Sequence, residues 1–114
     1  MEIGHSFWIE VAHLLPDPLG IERVHGHSYK ITVYVETSPN NPTPLGLLSG
    51  FCSFMKSDLD HCYINDKVDF NPTAENLSKY IYKKIAEKLR LGLILFKLEV
   101  VIWESPEASI TYTE

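Results

Sequence analysis

Residues 24–36, Val-His-Gly-His-Ser-Tyr-Lys-Ile-Thr-Val-Tyr-Val-Glu, decide the fold of this protein. From Ser28 onward, apolar and polar side chains alternate along the chain. A period of two with β-branched and aromatic residues is typical of a half-buried strand. The positions predicted to face the core are Tyr29, Ile31, Val33 and Val35.

Two histidines open this strand. Residues i and i+2 of a strand point the same way, so His25 and His27 direct both imidazoles toward one point, and Gly26 leaves room between them. Two neutral imidazoles on a rigid strand make a good half-site for Zn²⁺. An isolated His-x-His pair also fits two ordinary surface or turn histidines, and both interpretations stay open at this point.

A third histidine ends the preceding apolar segment, residues 4–15. If this segment is a strand, His13 shares a face with its apolar side chains, where a lone histidine usually has a hydrogen-bond partner. Two prolines and a glycine in residues 15–20 predict a turn that returns the chain toward His25 and His27. Three histidine ligands with one open position are typical of a catalytic zinc site, whereas structural sites have four protein ligands.

Length and composition narrow the class of protein. A chain of 114 residues predicts one domain, residues 1–114. The net charge of −5 argues against non-specific nucleic-acid binding. An apolar run of about 18 residues, as a membrane span needs, is missing, and the N-terminus does not resemble a signal peptide. Cys52 and Cys62 have no zinc-finger spacing, and we expect reduced thiols in a cytoplasmic protein.

The second half of the chain predicts two more strands and a long helix. Thr73 is a good N-cap for a helix that runs to about Arg90, with a hydrophobic stripe at i, i+4 spacing. Residues 46–55 fit a short helix, and residues 98–103 and 108–112 fit strands. We therefore predict an α+β fold, an antiparallel four-stranded sheet with helices on one face.

Two further sites carry acidic groups. Asp60 and His61 are adjacent, and on a turn the carboxylate would orient the ring and raise its basicity. A solvated Asp-His pair is equally consistent with these residues. Glu104 follows an apolar strand, where a carboxylate is costly to bury, and an exposed strand-end glutamate is the plainer interpretation.

Five short motifs now combine into a resemblance. They are Val11-Ala12-His13, His25-Gly26-His27-Ser28-Tyr29, Leu59-Asp60-His61 with Asn65, Asn71-Pro72-Thr73-Ala74-Glu75-Asn76, and Glu104. The set resembles the 6-pyruvoyltetrahydropterin synthase and 6-carboxytetrahydropterin synthase family, which has the tunnelling fold. The resemblance covers most of the chain. It implies a pterin-binding domain that assembles into a barrel, as a homohexamer made of two trimeric rings.

The resemblance also implies roles for individual residues. It implies that a zinc ion is held by His13, His25 and His27. It implies that Asp60 and His61 are a catalytic pair, that Glu104 anchors the pterin ring, and that Thr73 lines the pterin pocket, from a neighbouring subunit in one arrangement. A carboxylate suits the pterin because both of its oxygens can accept from two parallel N–H donors.

The sequence departs from the family pattern in three places. The usual base is a cysteine four residues before the first histidine of the His-Gly-His motif, where this chain has Ile21. Glu22 follows, which resembles a variant branch with the pattern Glu-x-x-His-Gly-His. Gly50 replaces a usual aspartate, and the segment 51–60 is shorter than usual, which predicts a truncated first helix.

The variant branch implies a particular reaction. Its members shorten the substrate side chain, so we expect zinc-dependent conversion of 7,8-dihydroneopterin triphosphate to 6-hydroxymethyl-7,8-dihydropterin, with Glu22 as base. The alternatives are a 6-pyruvoyl- or 6-carboxytetrahydropterin synthase with a displaced base, and a non-catalytic zinc- or pterin-binding homologue. Ile21 in place of the cysteine, Gly50 and the short first helix keep the last alternative open.

Overall fold

A computed structural model describes residues 1–19 and 23–114 of the chain. The described residues form five strands and three helices. In chain order these are β1 (Glu2–Leu14), β2 (Val24–Thr37), α1 (Pro44–Leu59), β3 (Cys62–Tyr63), α2 (Ile64–Lys67), α3 (Ala74–Leu89), β4 (Leu95–Trp103) and β5 (Ser109–Thr113).

The strands form one sheet in the order β3-β1-β2-β4-β5. β1 and β2 pair antiparallel from Glu2 opposite Glu36 to Leu14 opposite Val24. The β2–β4 and β4–β5 pairs are also antiparallel. The predicted antiparallel four-stranded sheet is therefore wrong in one respect, because the short β3 adds a fifth strand that runs parallel to β1. A strand of two residues has no period for sequence reasoning to detect.

The core lies between one face of the sheet and the helices. Tyr29, Ile31, Val33 and Val35, the positions predicted to face inward, are all fully buried. They pack in one cluster with apolar side chains of α1 and α3. Burial of this face is the main stabilising contribution to the sheet, at roughly 25 cal/mol per Å² of apolar area removed from water.

Both long helices follow from their apolar spacing. α3 begins where predicted, because the Thr73 hydroxyl accepts a hydrogen bond of 3.1 Å from the Asn76 N–H. α1 has 16 residues and extends beyond the predicted short helix of residues 46–55. Pro44 suits its first turn, since proline needs no N–H partner there. Its buried stripe is Leu48, Cys52, Met55 and Leu59.

The other face of the sheet carries large exposed aromatic side chains. Trp8 is 53% exposed, and Tyr34 and Trp103 are also exposed. The row formed by Trp8, Lys30 and Trp103 crosses three adjacent strands in register. Elsewhere, both cysteines are free thiols. Among the described helices, none combines the length and the apolar character that crossing a membrane requires.

Candidate functional site

Three histidines meet at the end of the sheet where β1 and β2 join the loop between them. His13 lies directly opposite His25 in the antiparallel ladder, and His27 lies two residues further along β2 on the same face. One ring nitrogen from each lies within 4.8 Å of the others. His13 is buried, His27 is half-buried and His25 is exposed. The structure therefore brings together the three residues that the sequence suggested as metal ligands.

Backbone carbonyls select the tautomers of two of these histidines. The Nδ1 of His13 lies 2.8 Å from the Pro72 carbonyl oxygen, and the Nδ1 of His25 lies 3.3 Å from the Arg23 carbonyl oxygen. A carbonyl oxygen only accepts, so each Nδ1 carries a hydrogen, and in the neutral form of each ring the lone pair is on Nε2. Hydrogen bonding at one ring nitrogen is how proteins orient a histidine that binds metal through the other.

The two Nε2 atoms face each other across a short distance. The Nε2 atoms of His13 and His25 are 2.7 Å apart. When both rings are neutral, two acceptors at this distance repel one another unless a proton or a metal ion lies between them. With His27 completing the set, three neutral imidazole nitrogens fit a divalent metal of the zinc type. The three donor nitrogens and their orientation therefore fit the zinc ion that the sequence suggested.

The environment of His27 favours its neutral form. Burial, and after it repulsion from His13 whenever that ring is protonated, lowers the pKa of His27, while the Glu104 carboxylate raises it to a smaller extent. A neutral ring is the form that can bind a metal ion. The ring of Tyr29 stacks on that of His27 at a centroid distance of 5.0 Å and an interplanar angle of 12°. The stacking holds the imidazole plane in place beside the other two histidines.

Tyr29 brings a buried hydroxyl to this site. Its side chain is fully buried, and its hydroxyl has no hydrogen-bond partner among the described residues. Burial and then the nearby Glu104 carboxylate raise the pKa of Tyr29. Sequence reasoning treated Tyr29 only as a core residue. The available signal was a tyrosine at a fully inward position, where phenylalanine would fill the same space without a polar atom to satisfy.

Glu104 stands just beyond the end of β4. Its side chain is exposed, and its backbone N–H donates to the Ala108 carbonyl oxygen at 3.0 Å in the turn that leads to β5. Its charge raises the pKa of both His27 and Tyr29, so the carboxylate lies near these two side chains. An exposed carboxylate at this position is free to accept hydrogen bonds from a ligand.

Asp60 and His61 form the contact that the sequence suggested for a turn. Asp60 follows α1, and its Oδ2 lies 3.2 Å from the Nδ1 of His61. The Glu10 N–H, which donates to Oδ1 at 2.8 Å, is the main cause that lowers the pKa of Asp60. His61 adopts a left-handed backbone conformation with φ of 56°, and its side chain is 77% exposed. The pair is thus held at the backbone while the ring faces solvent.

His61 and His27 border the same open cleft. This cleft has a volume of about 480 Å³, and His27, His61, Cys62 and Gly26 are among its lining residues. Within the described residues, no hydrogen bond joins His61 to the three clustered histidines. The fold therefore brings His61 and one histidine of the cluster to one cleft, without direct contact between them.

The other residues that the sequence analysis singled out are Thr73, Glu22, Ile21 and Gly50. Thr73 lies next to Pro72, whose carbonyl orients His13, but its hydroxyl is engaged in capping α3. Glu22 and Ile21 lie outside the described residues. Gly50 lies on the exposed side of α1, and a side chain added there would meet open space.

Comparison with known proteins identifies the family. Residues 2–114 match the sequence profile of the family described as 6-pyruvoyl tetrahydropterin synthase. This chain belongs to the 6-pyruvoyl tetrahydropterin synthase family. Members of the family are enzymes of pterin biosynthesis.

Two curated relatives share the name of a related activity. The chain is 34% identical over 96 residues to the 6-carboxy-5,6,7,8-tetrahydropterin synthase of Synechocystis sp., covering 75% of this chain and 74% of the relative. It is 28% identical over 116 residues to a putative 6-carboxy-5,6,7,8-tetrahydropterin synthase of Archaeoglobus fulgidus, covering 96% of this chain and 95% of the relative.

Solved structures of 6-pyruvoyl tetrahydropterin synthases share the fold. The enzyme from Caenorhabditis elegans superposes with a TM-score of 0.79 at 21% identity, covering 100% of this chain and 95% of that chain. The enzyme from Plasmodium falciparum superposes with a TM-score of 0.78 at 14% identity, covering 100% of this chain and 97% of that chain. A Plasmodium vivax enzyme whose catalytic glutamate is replaced by alanine gives a TM-score of 0.76 at 15% identity, with coverage of 100% and 97%.

Proposed function

We propose that this member of the 6-pyruvoyl tetrahydropterin synthase family converts 7,8-dihydroneopterin triphosphate to 6-hydroxymethyl-7,8-dihydropterin in a zinc-dependent cleavage of the substrate side chain. The observation that carries the proposal is the pair of facing Nε2 atoms of His13 and His25, 2.7 Å apart, with His27 beside them. A zinc ion held by these three nitrogens would supply a Lewis acid that polarises a substrate oxygen and lowers the pKa of a hydroxyl.

Glu104 is proposed to anchor the pterin ring. The 2-amino group and ring N3–H of a pterin offer two parallel donors, which one carboxylate can accept with both oxygens. The support is its exposed position at the end of β4, with a charge that influences His27 and Tyr29.

Glu22 is proposed as the base. It precedes the His-Gly-His motif by three residues, and the related Plasmodium vivax enzyme is described as having a catalytic glutamate. The side chain of an unperturbed glutamate has a pKa of about 4.3 and is ionised at neutral pH. Such a carboxylate suits removal of a hydroxyl proton better than removal of a carbon-bound proton.

The proposed bond changes balance as a retro-aldol cleavage. Loss of a side-chain hydroxyl proton to Glu22 forms a carbonyl on the departing fragment and breaks the adjacent carbon–carbon bond. The electron pair of that bond passes to the carbon that stays on the pterin, which then takes up a proton. Asp60 and His61 are the proposed source of this proton, since the carboxylate contacts the ring at 3.2 Å and the ring borders the same cleft as His27.

The second candidate is a 6-carboxy- or 6-pyruvoyltetrahydropterin synthase. The relative at 34% identity is named for the first of these activities. Incubation of the zinc-loaded protein with 7,8-dihydroneopterin triphosphate and identification of the product by mass separates the candidates. We expect 6-hydroxymethyl-7,8-dihydropterin. A 6-carboxy or 6-pyruvoyl product would establish the second candidate, and pterin binding without turnover would indicate a non-catalytic homologue.

We also propose that the chain forms a single pterin-binding domain, residues 1–114, and assembles as a homohexamer of two trimeric rings. The sheet ends in the short β3 on one side and β5 on the other, and sheet edges invite pairing with other chains. The exposed Trp8, Tyr34 and Trp103 lie on the face that the helices leave uncovered. Closing such sheets into a barrel would cover both features.

A further inference from the structure

Asn65 holds the end of β1 with its side-chain amide. Its Oδ1 accepts a hydrogen bond from the Leu14 N–H at 2.9 Å, and its Nδ2 donates to the Leu14 carbonyl oxygen at 3.0 Å. The N–H and carbonyl of one strand residue point to the same side, where a neighbouring strand would normally pair with them. The carboxamide of Asn65 therefore replaces the peptide group of a missing strand residue. We call this pair of hydrogen bonds the Asn65 clamp.

The clamp completes an unusual edge of the sheet. At Glu10, the edge of β1 is paired with the Asp60 carboxylate and the His61 N–H, at 2.8 and 2.7 Å. At Ala12, it is paired with β3. β3 has only two residues before the chain turns into α2, so the backbone stops short of Leu14 and the amide of Asn65 takes over. Residues 60–65 thus satisfy the edge of β1 along its last five residues.

His13 lies directly inside the clamped stretch. It stands between Ala12, paired with β3, and Leu14, held by Asn65, and the strand ends at Leu14. On the other side its partner is His25, which has only one further ladder pair beyond it. Without the clamp, the last residues of β1 would be held from one side alone at the point where strands commonly fray.

We propose that Asn65 is a positioning residue for His13. By fixing the peptide that follows His13, it keeps the imidazole within reach of both the Pro72 carbonyl and the Nε2 of His25. The inference rests on the proposed zinc site for its functional meaning. The same segment carries Asp60 and His61, so the clamp also links the acid–base pair to the strand that carries the first histidine.

Two substitutions distinguish the contributions of the two hydrogen bonds in the Asn65 clamp. Asn65→Leu keeps a similar volume and removes both hydrogen bonds. Asn65→Asp keeps the acceptor for the Leu14 N–H and replaces the donor with an oxygen that repels the Leu14 carbonyl. Asn41→Leu is the matched control, because Asn41 also uses its side-chain amide near strand ends, on Thr37 and on the Ile94 N–H at 3.4 Å. Asn41 lies at the opposite end of β2 from the histidines.

The first readout is zinc affinity, measured by competition with a chromophoric chelator. Loss of groups that orient metal ligands typically weakens binding about 10- to 100-fold, and we expect about 10-fold for Asn65→Leu. We expect a smaller loss for Asn65→Asp and wild-type affinity for Asn41→Leu. The visible absorption of the Co²⁺-substituted protein should change in Asn65→Leu and not in Asn41→Leu, because it reports the geometry of the ligands.

The second readout uses the metal-free protein, so its result does not depend on the proposed function. Hydrogen exchange at the Leu14 amide should quicken at least 10-fold in Asn65→Leu and stay slow in Asn65→Asp, which keeps the acceptor. The NMR signal of the His13 Nδ1–H, which donates to Pro72, should broaden in Asn65→Leu. Circular dichroism of each variant shows whether it is folded.

The results distinguish the positioning role of Asn65 from the proposed zinc enzyme. A folded Asn65→Leu protein with wild-type zinc affinity and an unchanged His13 signal would overturn the positioning role. Wild-type protein that binds no zinc would refute the proposed zinc enzyme. In that case the His13 signal in the metal-free variants decides whether the clamp places this ring: broadening in Asn65→Leu supports it, and an unchanged signal overturns it.

Discussion

The Nδ1–H of His13 donates to the carbonyl oxygen of Pro72 at 2.8 Å, and this bond joins residues that are 59 positions apart in the chain. It ties the end of β1 to the turn before α3. It also determines which nitrogen of His13 is free, because the carbonyl requires a hydrogen on Nδ1. The turn before α3 therefore prepares one histidine to act as a ligand through Nε2.

Metal content tests the histidine cluster. We expect the purified protein to hold one zinc ion per chain, and His13→Ala to lose it, because only two of the three converging nitrogens remain. His5→Ala is the matched control, since His5 lies on the same strand but contacts Ser49 at 3.1 Å instead of the cluster. The measurement is elemental analysis of protein freed of loosely bound metal. Full retention of zinc in His13→Ala would contradict the site.

Replacement of Glu22 tests the proposed base. Glu22→Gln keeps the shape of the side chain and removes the carboxylate, so turnover should fall about 10²- to 10⁴-fold while zinc content and pterin binding stay near normal. Steady-state rates and metal analysis on the same preparation provide the comparison.

A cysteine at position 21 tests the assignment of Glu22 as the base by restoring the residue that the family usually has there. In the double variant Ile21→Cys with Glu22→Ala, some 6-pyruvoyl product should appear, because the base then stands at the usual family position. A Glu22→Gln enzyme with the wild-type rate would show that the base lies elsewhere.

Glu104 should determine pterin affinity without affecting metal content. Glu104→Gln replaces one accepting oxygen by a donor, which opposes a pterin N–H. A hydrogen bond to a charged group contributes about 1.5–3 kcal/mol, so we expect the Kd for a pterin to rise roughly 10- to 150-fold. Glu107→Gln, an exposed carboxylate in the adjacent turn, is the control. Fluorescence titration measures the pterin Kd of both variants. A Glu104→Gln variant that binds the pterin as tightly as Glu107→Gln would argue against Glu104 as the anchor.

Asp60 should make stability depend on pH in the acid range. The Glu10 N–H is the main cause that lowers the folded-state pKa of Asp60 below its ordinary value of about 3.9. Ionised Asp60 therefore contributes stability above the ordinary pKa, and this contribution is lost as the pH falls through the folded-state value. Asp60→Asn should lower the free energy of unfolding more at pH 7 than at pH 3, as urea titrations can measure. An equal loss at both pH values would speak against this origin.

The proposed assembly can be tested by sedimentation equilibrium. We expect the mass of a homohexamer, because closing the sheet edges and covering Trp8, Tyr34 and Trp103 requires neighbouring copies of the chain. A stable monomer at micromolar concentration would refute the assembly. It would also exclude a pterin pocket shared between subunits, and with it a contribution of Thr73 from a neighbouring chain.

The sequence by itself determined the elements with strong periodicity. The alternation in residues 24–36 predicted β2 and its inward face, and the i, i+4 spacing after Thr73 predicted α3 with its cap. The shared face of His13 with its strand, and of His25 with His27, predicted that three imidazoles converge. In each case the decisive interactions depend on residues a few positions apart, which a local pattern records.

Only the tertiary structure decided how this end of the sheet is completed. The parallel β3, the Asn65 clamp on Leu14 and the choice of tautomer at His13 by Pro72 join segments that are far apart in the chain. A two-residue strand has no period, and one side-chain amide that replaces a peptide group has no composition signal. These contacts arise because packing brings unsatisfied backbone groups beside side chains that can pair with them, and a sequence pattern does not encode that meeting.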